Sequence, residues 1–192
     1  MPIAISTESP AALPNYATIS IAYEVVEVLD VETPAARGAA PVLTARRLAS
    51  PVVKDYDAEP GNSPLDWPKR FDVSTWGFLA AQESGRRVGG AVVVLRSPEI
   101  AMLENRDDLA LLWDIRVAPA ARGRGVGPAL LGAAERWARQ RGARMLKVET
   151  QNTNAPACLF YAKRGFELRT VNRDAYPSLP DEIQLIWYKD LG

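Results

Sequence analysis

Histidine is absent from all 192 residues, and cysteine occurs once, at Cys158. Without an imidazole the chain cannot build a His-ligated zinc site, a Ser-His-Asp or Cys-His nucleophile, or a histidine general base, and much of hydrolase chemistry goes with them. A lone cysteine forms no internal disulfide and fits a reducing compartment, so the cytoplasm is expected. Excess charge of either sign is missing too: 23 Lys and Arg balance 23 Asp and Glu. No overall basic field therefore draws in nucleic acid or a membrane surface. Uncharged apolar runs of about 18 residues, the length a spanning helix needs, do not occur. The opening M-P-I-A-I-S-T-E-S-P-A-A-L-P-N lacks the charged start and apolar stretch of a secretion signal. Metal, nucleic-acid and membrane partners are not expected.

What is present is ordinary globular composition, 47% hydrophobic and 24% charged, over a length that suits one domain with a substantial core. We expect residues 1–15 to be a flexible tail and 16–192 a single domain without repeats or linker. Ile19 to Val31 is rich in β-branched residues and reads as a strand. Prolines at 34, 41, 51, 60, 64 and 68 argue against long helices before Phe71 and leave a short strand near Val42 to Leu48. Trp76 to Ala81 and Val88 to Leu95 read as a hairpin turned at Ser84-Gly85. Leu109 to Val117 is a short, mostly apolar strand carrying Asp114 and Arg116 on one side. From Val126 the period becomes helical, with Leu130, Ala134, Trp137 and Ala138 in register and Gly142 as the stop. Met145 to Thr150 alternates as a strand, Asn154 caps a second helix through Arg164, and Ile183 to Tyr188 is a last strand. Strand, helix, strand, helix after an antiparallel first half predicts an α/β fold with a parallel pair at the crossover.

The link from the Leu109 strand to the Val126 helix reads A-P-A-A-R-G-R-G-V-G-P. Glycines at a helix N-terminus turn consecutive amides toward one point, where the helix dipole favours an anion such as phosphate. Arg122 and Arg124 would add charge-assisted contacts. The loop is not a P-loop, because the Lys-Ser/Thr ending is missing, nor G-x-G-x-x-G, because Pro128 takes the sixth position.

Arg122, Gly125 and Gly127 do fit R-x-x-G-x-G, and downstream Asn154, Ala157, Tyr161, Lys163, Gly165 and Phe166 form N-x-x-A-x-x-x-Y-x-K-x-G-F. This pair of motifs resembles the acetyl-CoA site of the GNAT N-acetyltransferases. The stretches W-A-R-Q-R, E-T-Q-N-T-N-A-P-A-C-L-F-Y-A-K-R-G-F and D-E-I-Q-L-I-W-Y are similar to streptothricin acetyltransferases, with S-P-V-V-K-D-Y the one echo in the first half. The resemblance implies a mixed, mostly antiparallel sheet with a splayed parallel central pair, flanked by helices. It implies acetyl-CoA as donor, contacted by the backbone around Ile115, Arg116 and Val117, by the loop Arg122, Gly123, Arg124, Gly125, Val126 and Gly127, and by Asn154, Ala157, Tyr161 and Lys163. Pro128 stands where relatives usually carry a backbone donor.

By the same resemblance Tyr161 would protonate the leaving thiolate and Glu149 would be the general base, with Asp114 on the neighbouring strand as its rival. Tyr161 packing beside Phe160 and Phe166 is the plainer alternative. Asp55, Tyr56, Asp57, Tyr176, Glu182 and Trp187 would supply an acidic, aromatic pocket for a cationic amine. Cys158 reads as core packing. The implied acceptor is a small-molecule amine of streptothricin type, with a protein N-terminus or lysine, or an acyl-CoA-binding module without turnover, as alternatives. Many relatives dimerise, so a homodimer is compatible with the sequence.

Overall fold

The computed structural model describes residues 2–34 and 40–192; Met1 of the expected tail and residues 35–39 of the expected domain lie outside the described residues. In chain order the elements are β1 (Ala4–Glu8), α1 (Leu13–Ala17), β2 (Tyr23–Glu32), β3 (Val42–Lys54), α2 (Trp67–Arg70), β4 (Gly77–Glu83), β5 (Arg86–Leu95), β6 (Leu109–Val117), α3 (Val126–Gln140), β7 (Met145–Gln151), α4 (Ala155–Ala162), β8 (Glu167–Asn172) and β9 (Gln184–Asp190). They fall into two compact units, one of Met1–Ala22, Asp55–Leu146 and Leu191–Gly192, the other of Tyr23–Lys54 and Lys147–Asp190.

In the first unit β1, β4, β5 and β6 lie side by side, each antiparallel to its neighbour. The segment expected as a loose tail is thus an edge strand: Ile5 pairs with Ala81 and Thr7 with Leu79. Glu8 meets Arg87, while Leu13 and Tyr16 are buried. Five residues of mixed polarity show no periodicity of their own; β4 supplies the hydrogen bonds that make them a strand. The β4–β5 hairpin turns where expected, with Ser84 at φ 51 and Gly85 at φ 74, the pair of positive angles that follows the twist of two antiparallel strands.

The step that positions the site is in β6. Asp114 stands opposite Val92 and Leu112 opposite Val93, leaving Trp113 as an extra residue. A β-bulge of this kind reverses the alternation of faces. Asp114 and Arg116 therefore come to the same face as Leu111, where Tyr16, Trp67, Trp76, Phe78, Val92 and Val94 are buried and Trp113 packs against them. The other face carries α3: Val126 and Leu130 approach Gly89, while Gly90, the next residue, meets Tyr16. At the far end of α3 the N–H groups of Arg144 and Met145 both donate to Asp108 O, at 2.8 and 3.1 Å, which returns the chain to the residue before β6.

In the second unit β2 and β3 form a long antiparallel ribbon. Its first strand begins at Tyr23 rather than Ile19, and its second runs past Leu48 to Lys54. Pro51 is tolerated because a two-stranded ribbon leaves one edge of each strand unpaired. β9 lies between β7 and β8, and β8 was not foreseen. Asn152 stitches ribbon to strands: its backbone accepts from Leu29 N–H at 2.9 Å, and its Oδ1 accepts from Ile183 N–H at 2.8 Å. Helix α4 begins where Asn154 Oδ1 accepts the N–H of Ala157 at 3.2 Å, with Pro156 in the first turn. Among the described residues no helix is long and apolar enough to cross a membrane.

Candidate active site

The glycine loop closes the first unit's strand-to-helix passage. Gly123 and Gly125 adopt φ angles of +73° and +87°, and an added Cβ at either would meet nothing within 4 Å. Gly125 is the residue before α3, whose first turn has no side-chain cap. Among the described residues no backbone carbonyl lies in hydrogen-bonding geometry to the N–H groups of Gly123, Arg124, Gly125, Val126 or Gly127. Open space and a fan of unpaired donors at a helix N-terminus fit a diphosphate. Pro128 falls third in the helix and removes one donor there, while Ala129 N–H already reaches Gly125 O at 3.1 Å.

The loop's arginines hold protein groups. Arg122 donates from Nε to Val117 O at 3.1 Å and from Nη2 to Ala22 O at 2.8 Å, clamping the loop to the end of β6 and to the chain beyond α1. Arg124 pairs with Glu83 at 2.6 Å. The backbone of Ile115 and Val117 pairs with Ala91 and Gly89 of β5.

Beside the loop, Arg116, which the motif resemblance implies as a cofactor contact, is the hub of a buried hydrogen-bond cluster. Its side chain is 1% exposed. It binds Asp114 from Nε at 3.0 Å and Nη2 at 2.6 Å, Asp57 from Nη1 at 2.7 Å and Nη2 at 3.2 Å, and Ile19 O at 3.0 Å. The guanidinium also lies 5.0 Å from the centre of the Tyr16 ring. Burial works against its charge, but the hydrogen bonds and charge of Asp114, with the hydrogen bonding of Asp57, outweigh it and raise its pKa above the ordinary value. Tyr16 donates its hydroxyl to Asp114, and burial first, then the Asp114 charge, raises the phenol well above its usual range.

Tyr56, Asp57 and Asp114 come together around a cavity of about 220 Å³, with Ile21, Trp67 and Trp113 as its apolar wall and Gly61, Asn62 and Arg70 completing it. Asp55 is spent otherwise: its Oδ1 accepts from Asp57 N–H at 3.1 Å and starts the 3-10 turn Tyr56–Ala58. Asp57 and Tyr16 are the residues that sequence reasoning undervalued. The acidic run D-Y-D was a signal for the first; nothing local marks the second.

In the second unit Glu149 accepts from Tyr176 Oη, from Gln184 Nε2 at 2.8 Å and from Gln151 Nε2 at 3.3 Å. Burial, then the charge of Glu149, keeps the Tyr176 phenol protonated above its ordinary range. Glu182 is ion-paired with Lys54. Trp187 donates to Thr150 Oγ1 at 2.8 Å. Tyr161 is buried on α4, its ring 5.1 Å from Phe160 and 5.2 Å from Phe166, so the packing contacts foreseen for it are present. Ala157 takes part in the Asn154 cap, and Lys163 sits exposed at the end of the helix. Cys158 is buried beside Thr150, and burial pushes its thiol up to about 11, which leaves no thiolate for a covalent acetyl route.

The first unit thus combines a bulged strand with an open glycine loop at an uncapped helix N-terminus, an arrangement suited to an anionic ligand. Similarity to known proteins gives the class: residues 45–166 match the family described as Acetyltransferase (GNAT) family. The chain is 38% identical over 145 residues to a streptothricin acetyltransferase of Escherichia coli, covering 74% of this chain and 72% of that one. It is 41% identical over 91 residues to Streptothricin acetyltransferase A of Bacillus subtilis (strain 168), a match spanning 53% of that protein. Its fold matches the crystal structure of nourseothricin acetyltransferase with a TM-score of 0.75 at 25% identity, over 100% of both chains. A Bacillus anthracis str. Ames structure assigned as a streptothricin acetyltransferase and solved with acetyl coenzyme A gives 0.77 at 25% identity, over 99% of both. The chain belongs to the GNAT acetyltransferase family, and with that the mixed sheet and flanking helices expected from its motifs are established.

Proposed function

We propose that this chain transfers the acetyl group of acetyl-CoA to a primary amine of a streptothricin-type antibiotic in the cytoplasm, and so inactivates the drug. The observation that carries the reading is the row of unpaired amides from Gly123 to Gly127 at the start of α3. The antibiotic acceptor is supported by relatives named streptothricin acetyltransferases that cover most of this chain. When bound, acetyl-CoA supplies an acetyl group already activated as a thioester. The amides of the loop bind its diphosphate and fix its reach, which turns an encounter of two molecules into an oriented one. Tyr161 hands a proton to the departing thiolate.

Between the two candidate bases, the partners favour Glu149. Asp114 gives both oxygens to Arg116, and protonating it would break a buried ion pair. Glu149 accepts only from neutral donors and can take a proton without that loss.

The test is release of free thiol from acetyl-CoA by the purified protein with streptothricin, aminoglycosides, polyamines and peptides in parallel. Turnover with streptothricin alone, and acetylated antibiotic by mass spectrometry, is the expected result. Turnover confined to peptides would move the acceptor to a protein amine, and donor binding without turnover on any amine would leave a binding module.

A further inference from the structure

The cavity lined by Tyr56, Asp57 and Asp114 has the size and lining of a ligand site. Its volume of about 220 Å³ equals the share of several water molecules, enough for a short alkyl arm with a charged head. Trp67, Trp113 and Tyr56 give it aromatic walls, with the rings of Trp67 and Trp113 edge to face at 6.1 Å. Two carboxylates, Asp57 and Asp114, face one buried guanidinium there. Arg70, the cation among the lining residues, donates to Gly61 O at 3.1 Å and lies over the Phe71 ring at 5.1 Å, while Arg116 is buried behind the wall.

The two carboxylates differ in what they have left to give. Asp114 Oδ1 already accepts from Tyr16 and Arg116, and its side chain is 8% exposed. Each oxygen of Asp57 accepts one bond, both from Arg116, and its side chain is 22% exposed. A carboxylate oxygen has two acceptor sites, so Asp57 keeps one free on each. Beside aromatic faces this is the pattern that binds an ammonium or guanidinium. A carboxylate so placed also keeps an amine protonated, and a protonated amine cannot attack a thioester. The cation it holds is therefore not the one acetylated.

We infer that this cavity takes a second cationic group of the acceptor, with Asp57 as its carboxylate anchor and Arg116 as the positioning residue that fixes Asp57 in the wall. The inference rests on the amine-acceptor reading above and makes the enzyme selective for polycations over monoamines. Arg116 acts through Asp57, spanning both carboxylates with a planar fork that a lysine cannot copy.

Steady-state kinetics with streptothricin and with butylamine test it. Asp57→Asn should raise KM for streptothricin about tenfold, the loss of one charge-assisted contact, with kcat and the KM for acetyl-CoA nearly unchanged. The preference for streptothricin over butylamine should fall by the same factor, and Asp57→Glu should recover part of it. Arg116→Lys should reproduce the rise in acceptor KM; should it fail to fold, the variants at the less buried Asp57 carry the test. An unchanged streptothricin KM in Asp57→Asn, or an equal rise for butylamine, overturns the inference. Should the wild type acetylate no amine, the functional reading fails by itself. Calorimetry of streptothricin with the coenzyme A-loaded protein then decides: weaker binding by Asp57→Asn supports the cavity, equal binding overturns it.

Discussion

Gly90 and Tyr16 occupy the same place: a Cβ built on Gly90 would stand 2.5 Å from Cε2 of the Tyr16 ring. The missing side chain on β5 is what lets the ring lie over the sheet, against the Arg116 guanidinium and with its hydroxyl on Asp114. Gly90→Ala forces ring or strand to move. Overpacking of this kind costs about 1–3 kcal/mol, so urea unfolding should show a clear loss of stability, together with a higher acceptor KM. A variant as stable as the wild type would show that the close approach is not needed.

The loop offers a contrasting glycine. Gly125→Ala meets no atom within 4 Å but must hold φ near +87°, a strain of about 1–2 kcal/mol for a residue with a side chain. Relaxing it turns the adjacent amides. The KM for acetyl-CoA should rise about tenfold, with the acceptor KM close to wild type. A rise in the acceptor KM alone would put the donor's diphosphate elsewhere.

Tyr161→Phe keeps the packing between Phe160 and Phe166 and removes one hydroxyl. General acids contribute about 100-fold or more, so kcat should drop by at least that factor while calorimetric affinity for coenzyme A holds. Unchanged turnover would reduce Tyr161 to a packing residue.

Stability should depend on pH through Tyr16. Its folded pKa lies well above the ordinary 10.0, so the folded state keeps a proton that the unfolded state releases once pH passes 10. The stabilisation is complete below that pH and is lost as pH rises toward the folded value, at about 1.4 kcal/mol per pH unit. Urea midpoints measured from pH 8 to 11 should fall on this slope, and Tyr16→Phe should be weaker at pH 8 but flatter above pH 10. The same slope in both proteins would assign it to other groups.

The hairpin turn at Ser84-Gly85, the loop from Arg122 to Gly127, the span of β6 and the Asn154 cap were all legible in the sequence. Each is decided within a few neighbouring residues, by a positive φ, a missing N–H or an oxygen reaching three positions along the chain, and local chemistry needs no partner to show itself.

The rest belonged to the tertiary structure. Tyr16 reaches Asp114 across 98 positions and Arg116 reaches Asp57 across 59, and the bulge at Trp113 that turns Asp114 and Arg116 toward them exists only in the register between β5 and β6. β1 became a strand because β4 had an edge to pair. Sequence determined where a glycine loop opens onto a helix N-terminus, since that loop is made of consecutive backbone groups. Which charged side chains share a cavity was left to packing, because distance along the chain says nothing about distance in space once strands pair.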